Sequence, residues 1–142
     1  VNGLAKENLM AERWFPKMTI EGKSCDLRVL VIGGKARHTV VRSSRSPITN
    51  LHLGNARGDV TEMRNLLGKA RWKQALEICE RTVLAFPKTA YFAVDLLVSS
   101  NREQFAVAEV NAFGDLLPGV LSCGQNTYEA ELEEARNRCF SA

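Results

Sequence analysis

Apolar and polar positions divide the chain into two β-rich blocks with a helical block between them. Residues 26–32, DLRVLVI, are rich in β-branched side chains and end at Gly33-Gly34, after which ARHTVVR continues with comparable strand character to Ser43. Two such runs on a two-glycine turn predict a β-hairpin. Alternation along its first strand puts Asp26, Arg28, Leu30 and Ile32 on one face, so Asp26 and Arg28 point the same way. A second pair of runs, YFAVDLLV at 91–98 and FAVAEVNAF from Phe105, predicts a second hairpin across a turn at 99–103. A shorter strand is expected over LMAERWF, residues 9–15, ending before Pro16, with a turn at Glu21-Gly22-Lys23.

Between the hairpins, Val60, Met63, Leu66 and Leu67, then Trp72, Ala75, Leu76, Cys79 and Val83, recur at three- and four-residue spacing. That period predicts helix from about Asp59 to Phe86, with Asp59 as N-cap, Glu62 three residues on, Gly68 separating or weakening two segments, and Pro87 closing the second. Residues 43–59, SSRSPITNLHLGNARGD, have no apolar period and are expected to form a long loop. Gly114, Pro118 and Gly119 break the chain before a polar helix over about 127–138. Together these elements predict one α+β domain over residues 1–142, an antiparallel sheet built from two hairpins with helices on one face.

Composition narrows the class. The chain has 142 residues, 45% apolar and 25% charged, which fits one globular domain and excludes disordered and low-complexity readings. No apolar run approaches the roughly 18 residues of a bilayer span, and VNGLAKENLM lacks the apolar core of a signal peptide. A cytoplasmic protein with no membrane partner is therefore expected. The formal charge of +3 is too close to balance to imply nucleic acid, and Arg37 to Arg45 lack the interleaved aromatics of a single-strand binder. Cys25, Cys79, Cys123 and Cys139 are far apart, with no C-x-x-C pair and no zinc spacing, and are expected to be reduced thiols.

The candidate chemistry lies in the second hairpin. A carboxylate within an apolar strand needs a cation or donor, so Asp95 and Glu109 each call for a partner. Glu109 and Asn111 share a face, and an in-register Asp95 would bring three oxygen ligands to one point, a set suited to Mg²⁺ or Mn²⁺. The competing reading pairs these acids with arginines such as Arg28 or Arg42. ITNLHLGN, residues 48–55, offers hydroxyl, amide and imidazole groups for phosphate or ribose oxygens, with His52 in a structural or capping role. Arg42 could clamp an anion, whereas Arg37 and Arg45 are expected on a solvated basic edge.

Taken in order, AERWF, CDLRVLVI, TNLHLGN, AVDLLV and VAEVNAFGDLLPG, spanning residues 11–119, resemble the C-terminal half of an ATP-grasp domain of the type found in ribosomal-protein glutamate ligases. The longer phrases ERWFPK, SPITNLHLGNARGD and VAEVNAFGDLLPG look like an uncharacterised bacterial subfamily of that superfamily. The resemblance implies that Glu12 to Phe15 contact adenine, largely through the backbone of Arg13 and Phe15. It implies Asp26 at the ribose, Thr49 and Asn50 along the nucleotide, catalytic Arg28 and Arg42 near the phosphates or acyl-phosphate, and Asp95, Glu109 and Asn111 as Mg²⁺ ligands.

The implied activity is ATP- and Mg²⁺-dependent joining of a carboxylate to an amine or thiol through an acyl-phosphate. The implied partners are ATP, a carboxylate and an amine whose identities the sequence does not give. A complete ATP-grasp domain also has an upstream subdomain with phosphate-binding lysines and a glycine-rich lid, which cannot lie in the few residues before Glu12. The chain, opening on Val1, is thus expected to be the C-terminal part of such a fold, inactive by itself and joined to an N-terminal half or to a second copy. The alternative is a catalytically incomplete half-domain serving as a nucleotide-binding or self-associating module. AFGDLLPG departs from relatives in carrying Asp115 and two leucines, which bears on acceptor binding.

Overall fold

The computed structural model describes residues 13–49, 56–112 and 117–140. Its strands are β1 (Thr19–Ile20), β2 (Lys23–Ile32), β3 (Lys35–Ser44), β4 (Ala56–Gly58), β5 (Tyr91–Val98) and β6 (Phe105–Asn111); its helices are α1 (Val60–Arg81) and α2 (Thr127–Phe140). The strands form one antiparallel sheet in the order β4-β3-β2-β5-β6, with β1 pairing the start of β2. The α+β class and both predicted hairpins are therefore present. Gly33 and Gly34 turn the first hairpin at φ 59° and 75°, the two positive values that a two-residue turn of this hand requires and that glycine adopts without a Cβ penalty.

The sheet is apolar on both faces over the second half of β2, where Val29, Leu30, Val31 and Ile32 are all at most 1% exposed. Such a strand needs cover on both sides. On one face Leu27, Val29, Val31, Val41, Phe92, Val94 and Leu96 pack with Met63, Leu67, Ala75 and Cys79 of α1. On the other, Leu30, Ile32, Val40 and Ala93 pack with Leu117 and with Ala130 of α2. The two helices thus lie on opposite faces, where the sequence pattern suggested one; the apolar alternation of β2 shows which residues are buried and not which helix covers them.

Both helices start on side-chain caps. The Asp59 carboxylate accepts the amides of Thr61 and Glu62 at 2.6 and 3.3 Å. At α2, Asn126 Oδ1 accepts the Glu129 amide at 3.0 Å while Glu129 Oε2 accepts the Asn126 amide at 2.8 Å, a reciprocal capping box. Gly68 kinks α1 with φ 73° and ψ 162°, as its place in the helical pattern suggested, and Arg81 leads into a short 3₁₀ turn at Thr82–Ala85.

Two expectations fare differently. Of the strand expected at 9–15, residues 9–12 lie outside the described residues and 13–15 are not strand. Among the described residues, pairing with the sheet begins after Pro16, through a bridge between Lys17 and Ser99 and then β1. The stretch 43–59 is not wholly loop, because β3 runs to Ser44 and Ala56–Gly58 adds an edge strand to it. Among the described residues no helix is long and apolar enough to cross a membrane.

At Gly68 a Cβ would meet nothing within 4 Å, so the requirement for glycine there is conformational and not steric. Gly68→Ala is expected to lower stability by about 1–3 kcal/mol, because that region of φ and ψ is nearly closed to other residues. In an unkinked helix the same change would raise stability. Urea denaturation of the two proteins distinguishes these signs.

Candidate functional site

Two one-residue bulges decide which side chains meet on the face opposite α1. From the Gly33-Gly34 turn, Ile32 pairs with Lys35 and Val31 with Ala36, but Leu30 pairs with His38, leaving Arg37 as an extra residue in β3. A regular ladder would set Asp26 against Val41; the bulge sets it against Arg42. In the second hairpin Leu97 pairs with Ala106 and Leu96 with Val107, then Asp95 with Glu109, so Ala108 is the extra residue. A regular ladder would set Glu109 against Val94, in the layer beneath α1. Arg28 and Asp95 are direct partners between β2 and β5.

The result is a buried ionic network. Asp95 Oδ1 accepts from Arg28 Nε at 2.8 Å, and its Oδ2 accepts from Arg28 Nη2 at 3.0 Å and from Arg42 Nη1 at 2.9 Å. Asp26 Oδ1 accepts from Arg42 Nε at 2.7 Å, while its Oδ2 accepts from Lys17 Nζ at 3.2 Å and from the Thr49 hydroxyl. Lys17 Nζ also donates to Thr49 Oγ1 at 2.8 Å. Side-chain exposure is 2% at Asp26, 6% at Asp95 and Arg42, 13% at Arg28 and 15% at Lys17. Every carboxylate oxygen has a charged donor, which is the condition for keeping two acids out of water. Among the described residues the network joins three cations to two acids.

Of the residues expected at the site, Asp26, Arg28, Arg42, Thr49 and Asp95 come together in this network. Glu109 and Asn111 share its face beside Asp95, Glu109 exposed and Asn111 half-buried. Arg13 is exposed and Phe15 half-buried, and neither belongs to the network. Glu12, Asn50 and His52 lie outside the described residues. For Asp95, the partners seen are the arginines of the competing reading. Lys17 was not anticipated, although the Glu21-Gly22 turn held the signal: the register Ile20 to Lys23 and Thr19 to Ser24, continued two residues, sets Lys17 opposite Asp26.

The donor set at Asp95, Glu109 and Asn111 is all hard oxygen, the type that suits Mg²⁺, and all three share one face. Exposed Glu109 is the accessible carboxylate. Asp95 is already saturated by guanidinium donors, so ligation through it requires an arginine hydrogen bond to be released. Among the described residues no group of three or more His, Cys, Asp and Glu side chains is arranged to hold a metal. The four cysteines are free thiols, with Cys25 and Cys79 buried and Cys123 and Cys139 exposed. Burial raises the Cys25 thiol and pushes that of Cys79 up to about 12. No protein-family model and no curated protein sequence matches the chain.

Asp95→Ala removes the buried acceptor that Arg28 and Arg42 share and is expected to cost about 3–5 kcal/mol. Glu109→Ala, on the same face but exposed, is expected to stay within about 0.5 kcal/mol. Chemical denaturation of both variants checks the contrast. At pH 8, thiol-reactive probes should label Cys123 and Cys139 quickly, and Cys25 and Cys79 only on unfolding.

Proposed function

We propose that this chain is the metal-bearing half of an ATP- and Mg²⁺-dependent carboxylate–amine ligase of the ATP-grasp kind, working through an acyl-phosphate. The observation that carries the proposal is the buried Lys17–Asp26–Arg42–Asp95–Arg28 network, beside the carboxylate of Glu109. The chain's resemblance to the C-terminal ATP-grasp half supplies the reaction class.

In this chemistry a substrate carboxylate oxygen attacks the γ-phosphorus, ADP departs, and the amine nitrogen then displaces phosphate from the acyl carbon. The protein's task is positioning and charge stabilisation, without a covalent enzyme intermediate. Arg28 and Arg42 suit it because Asp95 and Asp26 hold their guanidinium planes in fixed orientation, so little ordering remains to be paid when an anion arrives. Asp26 and Thr49 are assigned to the ribose side, and Lys17 joins them as a third cation near the nucleotide. Glu109 and Asn111, with Asp95, would hold Mg²⁺, which when bound neutralises charge on the phosphate oxygens. The remaining phosphate ligands and the lid would come from an N-terminal half. The fold does not name the acid or the amine joined.

Isothermal titration with ADP or a non-hydrolysable ATP analogue, with and without Mg²⁺, tests the proposal. Wild-type chain should bind nucleotide in a Mg²⁺-dependent manner, and Glu109→Gln should weaken that binding at least about tenfold, the loss that even an outer-shell change at a metal site brings. Binding indifferent to Mg²⁺ and to Glu109→Gln, or none by a chain that melts cooperatively, would overturn it.

A further inference from the structure

The outer side of α2 carries an apolar stripe that no core cluster among the described residues uses. Tyr128, Leu132, Ala135 and Cys139 follow one another at intervals of four, three and four residues, the spacing of a coiled-coil seam. All four are exposed, Tyr128 at 59% and Leu132 at 65%. Between this stripe and the sheet end at Ile32, Ala90 and Tyr91 runs a groove of about 380 Å³. The helix is not free to turn the stripe inward. Ala130 is buried in the core on another side of it, and the loop before it is anchored by His38 Nε2, which donates to the Gln125 carbonyl at 2.9 Å.

Charge identifies the occupant. The residues flanking the seam are Glu129 and Arg136 on one side and Glu131 and Arg138 on the other, each pair acidic toward the helix start and basic toward its end. We propose that the stripe is the interface for a second copy of this chain, with the two α2 helices antiparallel about a two-fold axis. In that arrangement Leu132 of each copy meets Ala135 of the other, and Tyr128 meets Cys139. Along the flanks, Glu129 faces Arg136 of the second copy and Glu131 faces Arg138 of the second copy, and symmetry doubles each pairing.

Sedimentation velocity of the chain over a micromolar concentration series tests this. A dimer is expected in the wild type, and Leu132→Glu should weaken it by about tenfold or more while leaving the circular dichroism spectrum unchanged, since Leu132 is exposed in the single copy. Arg136→Glu should also weaken the dimer. Antiparallel helices hold the two Cys139 residues about 16 Å apart along the axis, so mild oxidation should not link them. A monomer throughout, a dimer indifferent to Leu132→Glu or to Arg136→Glu, or ready Cys139–Cys139 cross-linking would each overturn the proposal.

Discussion

Two carboxylates held out of water set the terms for this sheet. Asp26 and Asp95 sit on neighbouring central strands with 2% and 6% of their side chains exposed, and an unpaired acid there would cost more than a small domain's margin of stability allows. Arg42 bridges both acids, Arg28 takes one with two nitrogens, and Lys17 takes the other. Replacing the whole set with well-packed apolar residues could leave stability unchanged or higher. A fold that needed only stability would gain little from such a network, whereas one that presents fixed guanidiniums to an anion needs it, and the proposed function rests on that difference.

The two faces of the sheet divide the labour. Beneath α1 the packing is apolar from Cys25 to Val98. On the opposite face apolar packing stops partway: Leu30, Ile32, Val40 and Ala93 meet α2, and the charged network begins one register step beyond, at Arg28 and Asp95. α2 is thus a partial cover. It completes the core at one end of the face, and among the described residues nothing covers its outer stripe, the surface on which the proposed association rests.

Much of this was visible in the amino-acid sequence. Gly33-Gly34 marked the first hairpin, alternation put Asp26 and Arg28 on one face, and the spacing of Val60 to Val83 revealed α1 with its cap at Asp59 and its break at Gly68. What stayed hidden has a common cause. Periodicity describes one element at a time, and the site depends on how elements are set against one another. Nothing in KARHTVVR signals that Arg37 is extra, yet that residue decides whether Arg42 faces Asp26 or the α1 core. Lys17 sits outside any apolar run, and its role follows only from the register of β1 on β2. The placement of α2 on the far face likewise depends on the capping and packing of residues 117–130, which are not periodic.

The bulges at Arg37 and Ala108 also guard the sheet against slippage. In hairpins of this kind the nearest competing structure is the regular ladder, one residue out of step beyond the turn, with most backbone bonds intact. Here that competitor would turn Arg42 toward Cys25 and Glu109 toward Val94, driving one cation and one anion into the dry layer under α1 on separate strands, Arg42 stripped of its partners and Glu109 of its water. The charges that equip the site therefore also proofread its folding, since a mispaired strand exposes its error as an unpaired ion in the core.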